Sequence, residues 1–122
     1  MIRHLFVYGT LRPGEVRWRF LEPFVVDEGH EDTAQGTLFD TGNGYPAAKF
    51  GGSDVIKGRV YELQASRTDE ALALLDEVES GVLDLFRRVS ITTGTGHPAW
   101  AYEYGGDMPF VAIPSGDWLA RR

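Results

Sequence analysis

The sequence predicts an α+β fold in which a mixed sheet curls toward a small β-barrel, flanked by one main helix and short helices. Short strand-like runs separated by turn residues recur along a chain that carries 15 glycines and 6 prolines. Only residues 68–79 hold a sustained helical period. No linker, repeat or low-complexity stretch interrupts the 122 residues, a length that suits a single domain, 1–122, with one sizeable core. Many strands around one helix favour a sheet that closes on itself.

The elements follow in order. Residues 2–8, rich in aromatic and branched side chains, read as the first strand. Residues 15–24 have room for one or two helical turns, which Pro23 disturbs. Strand-like runs follow at 33–40 and 46–50, and a stronger one at 55–63. In the helix over 68–79, Ser66, Thr68 and Asp69 are alternative N-caps, and Asp69 and Glu70 complement the positive helix start. Ala71, Leu74, Leu75 and Val78 keep helical spacing, and Gly81 supplies a stop. Strands at 85–93 and 99–104 form a hairpin through the turn Gly94-Thr95-Gly96-His97-Pro98. A last extended run covers 110–113.

Composition narrows the function. A formal net charge of −6 disfavours nucleic acid and anionic membrane surfaces, which need clustered cations. Arg87-Arg88 and Arg121-Arg122, the paired arginines, are too few for a basic groove. The absence of cysteine removes disulfides, thiolate metal sites and cysteine nucleophiles, and leaves a cytoplasmic location as the default. The apolar run after Met1 is too short for a signal peptide, and no stretch reaches transmembrane length.

Two features carry the chemistry. Phe6-Val7-Tyr8-Gly9-Thr10-Leu11-Arg12-Pro13-Gly14 takes an apolar strand straight into a glycine and a hydroxyl residue. Consecutive backbone N–H groups at such a junction can grip a carboxylate or phosphate. The plain alternative is a tight turn that glycine permits. The second feature is Glu79. At about 100° per residue it projects between Leu72 and Leu75, inside the apolar arc of Ala71, Leu72, Leu74, Leu75 and Val78. Desolvation and the negative helix C-terminus both raise the pKa of a carboxylate so placed, toward that of a base useful near neutral pH. Against this stand fraying of the helix after Val78 and pairing of Glu79 with Arg87 or Arg88.

Other candidates are weaker. His4, His30 and His97 are scattered and lack metal-ligand spacing, so they read as surface, strand or turn residues. There is no Gly-x-Ser-x-Gly elbow and no Walker sequence. Tyr45, in Gly44-Tyr45-Pro46, is a candidate cavity residue or a packing residue beside a turn. Tyr61, Tyr102 and Tyr104 are ambiguous strand aromatics, and Trp18 and Trp118 suit a core or lid. Asp76 and Glu77 read as a solvated helix face.

Six ordered segments carry a family likeness: Val7-Tyr8-Gly9-Thr10-Leu11-Arg12, Gly36-Thr37-Leu38-Phe39-Asp40, Gly44-Tyr45-Pro46-Ala47, Gly58-Arg59-Val60-Tyr61-Glu62-Leu63, Leu75-Asp76-Glu77-Val78-Glu79 and Gly116-Asp117-Trp118. In this order they resemble γ-glutamylcyclotransferase-like proteins, above all the small bacterial and γ-glutamylamine cyclotransferase branch. The resemblance implies a compact β-barrel flanked by helices, with a cavity at one end. It implies that Tyr8, Gly9, Thr10 and Leu11 form the substrate loop and that Glu79 is the catalytic acid/base. The implied reaction is intramolecular aminolysis of a small γ-glutamyl compound to 5-oxoproline, without metal or organic cofactor, by a monomer or small homo-oligomer. Phe86, and Phe110 less directly, depart from positions where relatives place tyrosine, which bears on substrate choice. The competing expectations are a non-catalytic binding module of the same fold and a structural domain in which Glu79 pairs with an arginine.

Overall fold

Alternation along β1 (His4–Val7) sets the two layers of the molecule. Leu5 and Val7 are buried on one face and Phe6 and the following Tyr8 on the other, each within its own apolar cluster. This is a computed structural model; it describes residues 2–9, 18–42, 44–83, 86–106 and 110–120, with the backbone alone for 79–83. The remaining strands are β2 (His30–Asp40), β3 (Pro46–Glu62), β4 (Phe86–Thr92), β5 (Pro98–Tyr104) and β6 (Val111–Ala112). They form one mixed sheet in the order β4-β5-β1-β3-β2-β6, with β1 parallel to β5 and the other pairs antiparallel. The outer face carries α1 (Trp18–Leu21), a 3-10 turn over Glu22–Phe24, and α2 (Thr68–Leu83). Their buried Leu21, Phe24, Ala71, Leu72 and Leu75 pack with Leu5, Val7, Tyr61 and Leu63. The inner face gathers Phe6, Tyr8, Leu38, Ile56, Val60, Ala99, Ala101 and Trp118.

The sheet curls into a half-barrel, and contacts across its open side draw the edges together. The Glu103 carboxylate accepts a hydrogen bond from the Phe50 N–H at 3.0 Å, joining β5 to β3. At the opposite end, the turn between β4 and β5 lies on β2. Gly94 donates its N–H to the Thr33 carbonyl at 2.8 Å. A methyl group at Gly94 would stand 2.2 Å from the Thr33 hydroxyl oxygen, so the approach requires glycine. Buried Asp32 clamps the same turn, accepting from the backbone N–H of Thr95 at 3.1 Å and its hydroxyl at 2.6 Å. Burial alone would raise the Asp32 carboxyl. The hydrogen bonds from Thr95, Thr93 and the Thr33 N–H outweigh it and hold that pKa below its ordinary value.

This closure corrects the reading of the histidines as scattered. The His97 ring lies 4.8 Å from that of His4 and 5.2 Å from that of His30, edge to face in both cases. Strand register and curl bring them together, and neither leaves a mark in linear spacing. Burial, then the neighbouring His97, holds the His4 imidazole below its ordinary value.

Two boundaries also differ from the sequence reading. The runs at 46–50 and 55–63 are one strand, β3. Gly51 and Gly52, at φ of 103° and 82°, let the chain bulge rather than stop. The register with β2 jumps there, from Gln35 opposite Val55 to Gly36 opposite Phe50. The helix runs to Leu83, through Gly81. A helical glycine costs only about 1 kcal/mol relative to alanine, too little to end a helix by itself. Thr68 does not cap α2 either: its hydroxyl donates back to the Gln64 carbonyl at 3.0 Å. No helix among the described residues is long and apolar enough to cross a membrane.

Candidate active site

The end of β1 brings the first predicted residues together. Tyr8 is buried on the inner face, and its hydroxyl donates to the Tyr102 carbonyl on β5. Gly9 follows, packed so closely on Pro46 that a Cβ would stand 2.6 Å from the proline Cγ. That contact sets half-buried Tyr45 beside the strand exit. Thr10 and Leu11 lie outside the described residues.

Tyr45 opens a row of aromatic rings on the outer face. Its ring lies 6.1 Å from that of Phe86, and Phe86 and Phe110 each lie 5.4 Å from the ring of Tyr104, all edge to face. Phe86 and Phe110 therefore both pack on a tyrosine, Tyr104. In the sequence Tyr104 is an ambiguous strand aromatic. The outward parity of β5, with Trp100, Tyr102 and Tyr104 on one face, was the available signal.

Position 79 is helical, four residues inside the end of α2. Fraying after Val78 is thereby excluded, while the helix dipole, strongest in the final turn, bears less on this position than a helix ending at 79 implies. Leu72 and Leu75, which flank position 79 on the helix surface, are both buried against the sheet. The Glu79 side chain lies outside the described residues.

Beside the buried Leu72 and Leu75, Asp76 ties this part of α2 to the sheet. Its side chain, 42% exposed, stays at the edge of the solvated face that the sequence predicts, but it also has partners there. Its carboxylate accepts from the Tyr102 hydroxyl at 2.7 Å and pairs with the Arg88 Nε at 3.0 Å. The Arg88 guanidinium also stacks over Trp100, 4.4 Å from the ring centre. Arg87 pairs instead with Glu103 at 3.1 Å. Both arginines considered as partners of Glu79 thus hold other carboxylates. Asp76, Phe86, Arg88, Trp100 and Tyr102 line a shallow surface pocket of their own. Asp76 escaped the sequence reading because its partners come from strands that only folding brings near.

The family model described as Gamma-glutamyl cyclotransferase, AIG2-like, matches residues 5–120. The gamma-L-glutamyl-butirosin B gamma-glutamyl cyclotransferase of Niallia circulans is 32% identical over 98% of this chain and 77% of its own length. Among solved structures, an uncharacterized protein from Pyrococcus horikoshii superposes with a TM-score of 0.73 at 28% identity, over 97% of this chain and 90% of that one. An AIG2-like protein from Mus musculus shares the fold at 18% identity, with a TM-score of 0.67 over 99% of this chain and 84% of that one.

Proposed function

Given that the chain belongs to the gamma-glutamyl cyclotransferase, AIG2-like family and is a γ-glutamylcyclotransferase-like enzyme, we propose that it releases 5-oxoproline from a γ-glutamyl amine or γ-glutamyl amino acid. In this reading the backbone N–H groups of Gly9, Thr10 and Leu11 hold the substrate α-carboxylate. Tyr45 shapes the outer wall, and Tyr8, buried on the inner face and bonded to the Tyr102 carbonyl, backs the strand exit from the other side. Glu79 accepts a proton from the α-ammonium group. The freed amine attacks the γ-carbonyl carbon, the new C–N bond closes the five-membered ring, and the bond to the leaving amine breaks. Glu79 returns its proton to that amine. The second proton, shed by the ring nitrogen as it becomes the lactam N–H, also ends on the departing amine, which leaves as an ammonium, and the Glu79 carboxylate is regenerated. Nucleophile and electrophile share one molecule, and much of the rate gain comes from holding the glutamyl arm folded.

The observation that carries the reading is the contact of Gly9 with Pro46, which joins the strand exit to Tyr45. The buried Leu72 and Leu75 support it by turning the row that contains position 79 toward the sheet. The test is a panel of γ-glutamyl dipeptides and γ-glutamylamines, scored by mass spectrometry for 5-oxoproline. Glu79→Gln is expected to lower kcat/KM by about 10²–10⁴-fold while leaving the fold intact. Equal product from wild type and Glu79→Gln removes Glu79 from the reaction. Ligand binding without any cyclised product makes the protein a binding module instead.

A further inference from the structure

The end of the half-barrel opposite Gly9 holds a second cluster of chemically capable side chains. His30 and Asp32 lie two residues apart on β2, on the same face of the strand, and His97 comes from the turn that folds over them. Each offers one ligand atom, and the three atoms lie within 4.8 Å of one another. We propose that His30, Asp32 and His97 bind a divalent transition-metal ion, with two imidazole nitrogens and one carboxylate oxygen as donors.

The donor set and its support fit such an ion. Two nitrogens and one oxygen suit zinc and its first-row neighbours, whereas magnesium and calcium favour oxygen alone. Asp32 is fixed in place. Its Oδ1 accepts from the N–H of Thr33 at 2.7 Å and of Thr95 at 3.1 Å. Its Oδ2 accepts from the Thr95 hydroxyl at 2.6 Å and faces His30 Nε2 at 3.9 Å. A carboxylate oxygen has two lone pairs, so Oδ2 keeps capacity for a metal. Held ligating carboxylates of this kind, hydrogen-bonded in turn by neighbours, are what metal sites use to orient their donors. His4 packs edge-on to His97 and limits the rotation of its ring.

The geometry asks for a small adjustment. Zinc bonds of about 2.0–2.2 Å place tetrahedral ligand atoms about 3.4 Å apart, so the cluster must tighten by about 1.4 Å. The His30 side chain, 50% exposed, has room to contribute by rotation, and because its Nε2 already stands 3.9 Å from Asp32 Oδ2 the His97 ring has to move as well. The bound ion would tie β2 directly to the β4–β5 turn, reinforcing the bonds made by Thr33 and Thr95.

The experiment is calorimetric titration of the full, tag-free chain with zinc chloride, paired with thermal denaturation in the presence and absence of zinc. One ion per chain is expected to bind and to raise Tm by several degrees through preferential binding to the folded state. His30→Ala and His97→Ala each weaken affinity by at least about tenfold and lose the rise in Tm. Magnesium chloride produces neither effect. Glu79→Gln binds zinc as wild type does, which separates this site from the proposed reaction. Cobalt(II) in place of zinc gives a visible absorption band of tetrahedral character that His97→Ala removes. Failure of zinc to bind, or equal binding by wild type, His30→Ala and His97→Ala, overturns the proposal.

Discussion

One missing methyl group shapes the turn after β1. Because a Cβ at Gly9 would meet Pro46 at 2.6 Å, Gly9→Ala must displace the proline ring and with it Tyr45. We expect a loss of about 1–3 kcal/mol in stability, the usual cost of overfilling a packed contact, read as a lower Tm. In steady-state assays the same variant should lose more in kcat/KM than in Tm, because the strand exit moves. Gly9 was legible in the sequence: a glycine directly after an apolar strand announces a turn or a close approach. Asp32 was not. Within His30-Glu31-Asp32-Thr33 it is one polar residue among several just ahead of the strand-like run at 33–40, and the turn it clamps, at Thr95, comes from the far half of the chain. Linear spacing carries information about local partners, and a carboxylate held by distant amides gives no local sign.

The helix α2 was legible at its start and along its apolar face, but its end and its anchoring were not. Gly81 reads as a stop in isolation, yet the helix passes through it to Leu83. Asp76 anchors α2 through Tyr102 and Arg88, three residues before Glu79, and so fixes the rotation of the helix about its own axis. Tyr102→Phe removes one of those two bonds and keeps the ring. Its expected stability cost is about 0.5–1.5 kcal/mol, the net value of one hydrogen bond, measured by urea denaturation. If Asp76 positions the catalytic part of α2, kcat falls in Tyr102→Phe while KM changes little. A fall in stability with no change in kcat would leave Asp76 a purely structural anchor. The bulge in β3 teaches a related lesson. Gly51-Gly52-Ser53-Asp54 looks like a connection between two strands, but β2 pairs on both sides of it and keeps the strand whole.

The six family segments and the alternation of strands with one long helix made the fold readable in advance. What they could not supply was the closure of the half-barrel, since the bonds from Phe50 to Glu103 and from Gly94 to Thr33 depend on curl and register together. The gathering of His4, His30 and His97 is a by-product of that closure, invisible until the strands are paired. The strand order has a kinetic corollary. β1 lies between β5 and β3, with His4 opposite Glu62 and Leu5 opposite Trp100, so none of its neighbours is near in sequence. The hairpins β2–β3 and β4–β5 close short loops and can zip early, whereas β1 must wait for both. Pulse-labelled hydrogen exchange during refolding should therefore find the amides of Ala34 and Leu38 shielded before those of Leu5 and Val7. In a sheet of this order the central strand would be the last piece seated, a keystone that locks two finished hairpins together.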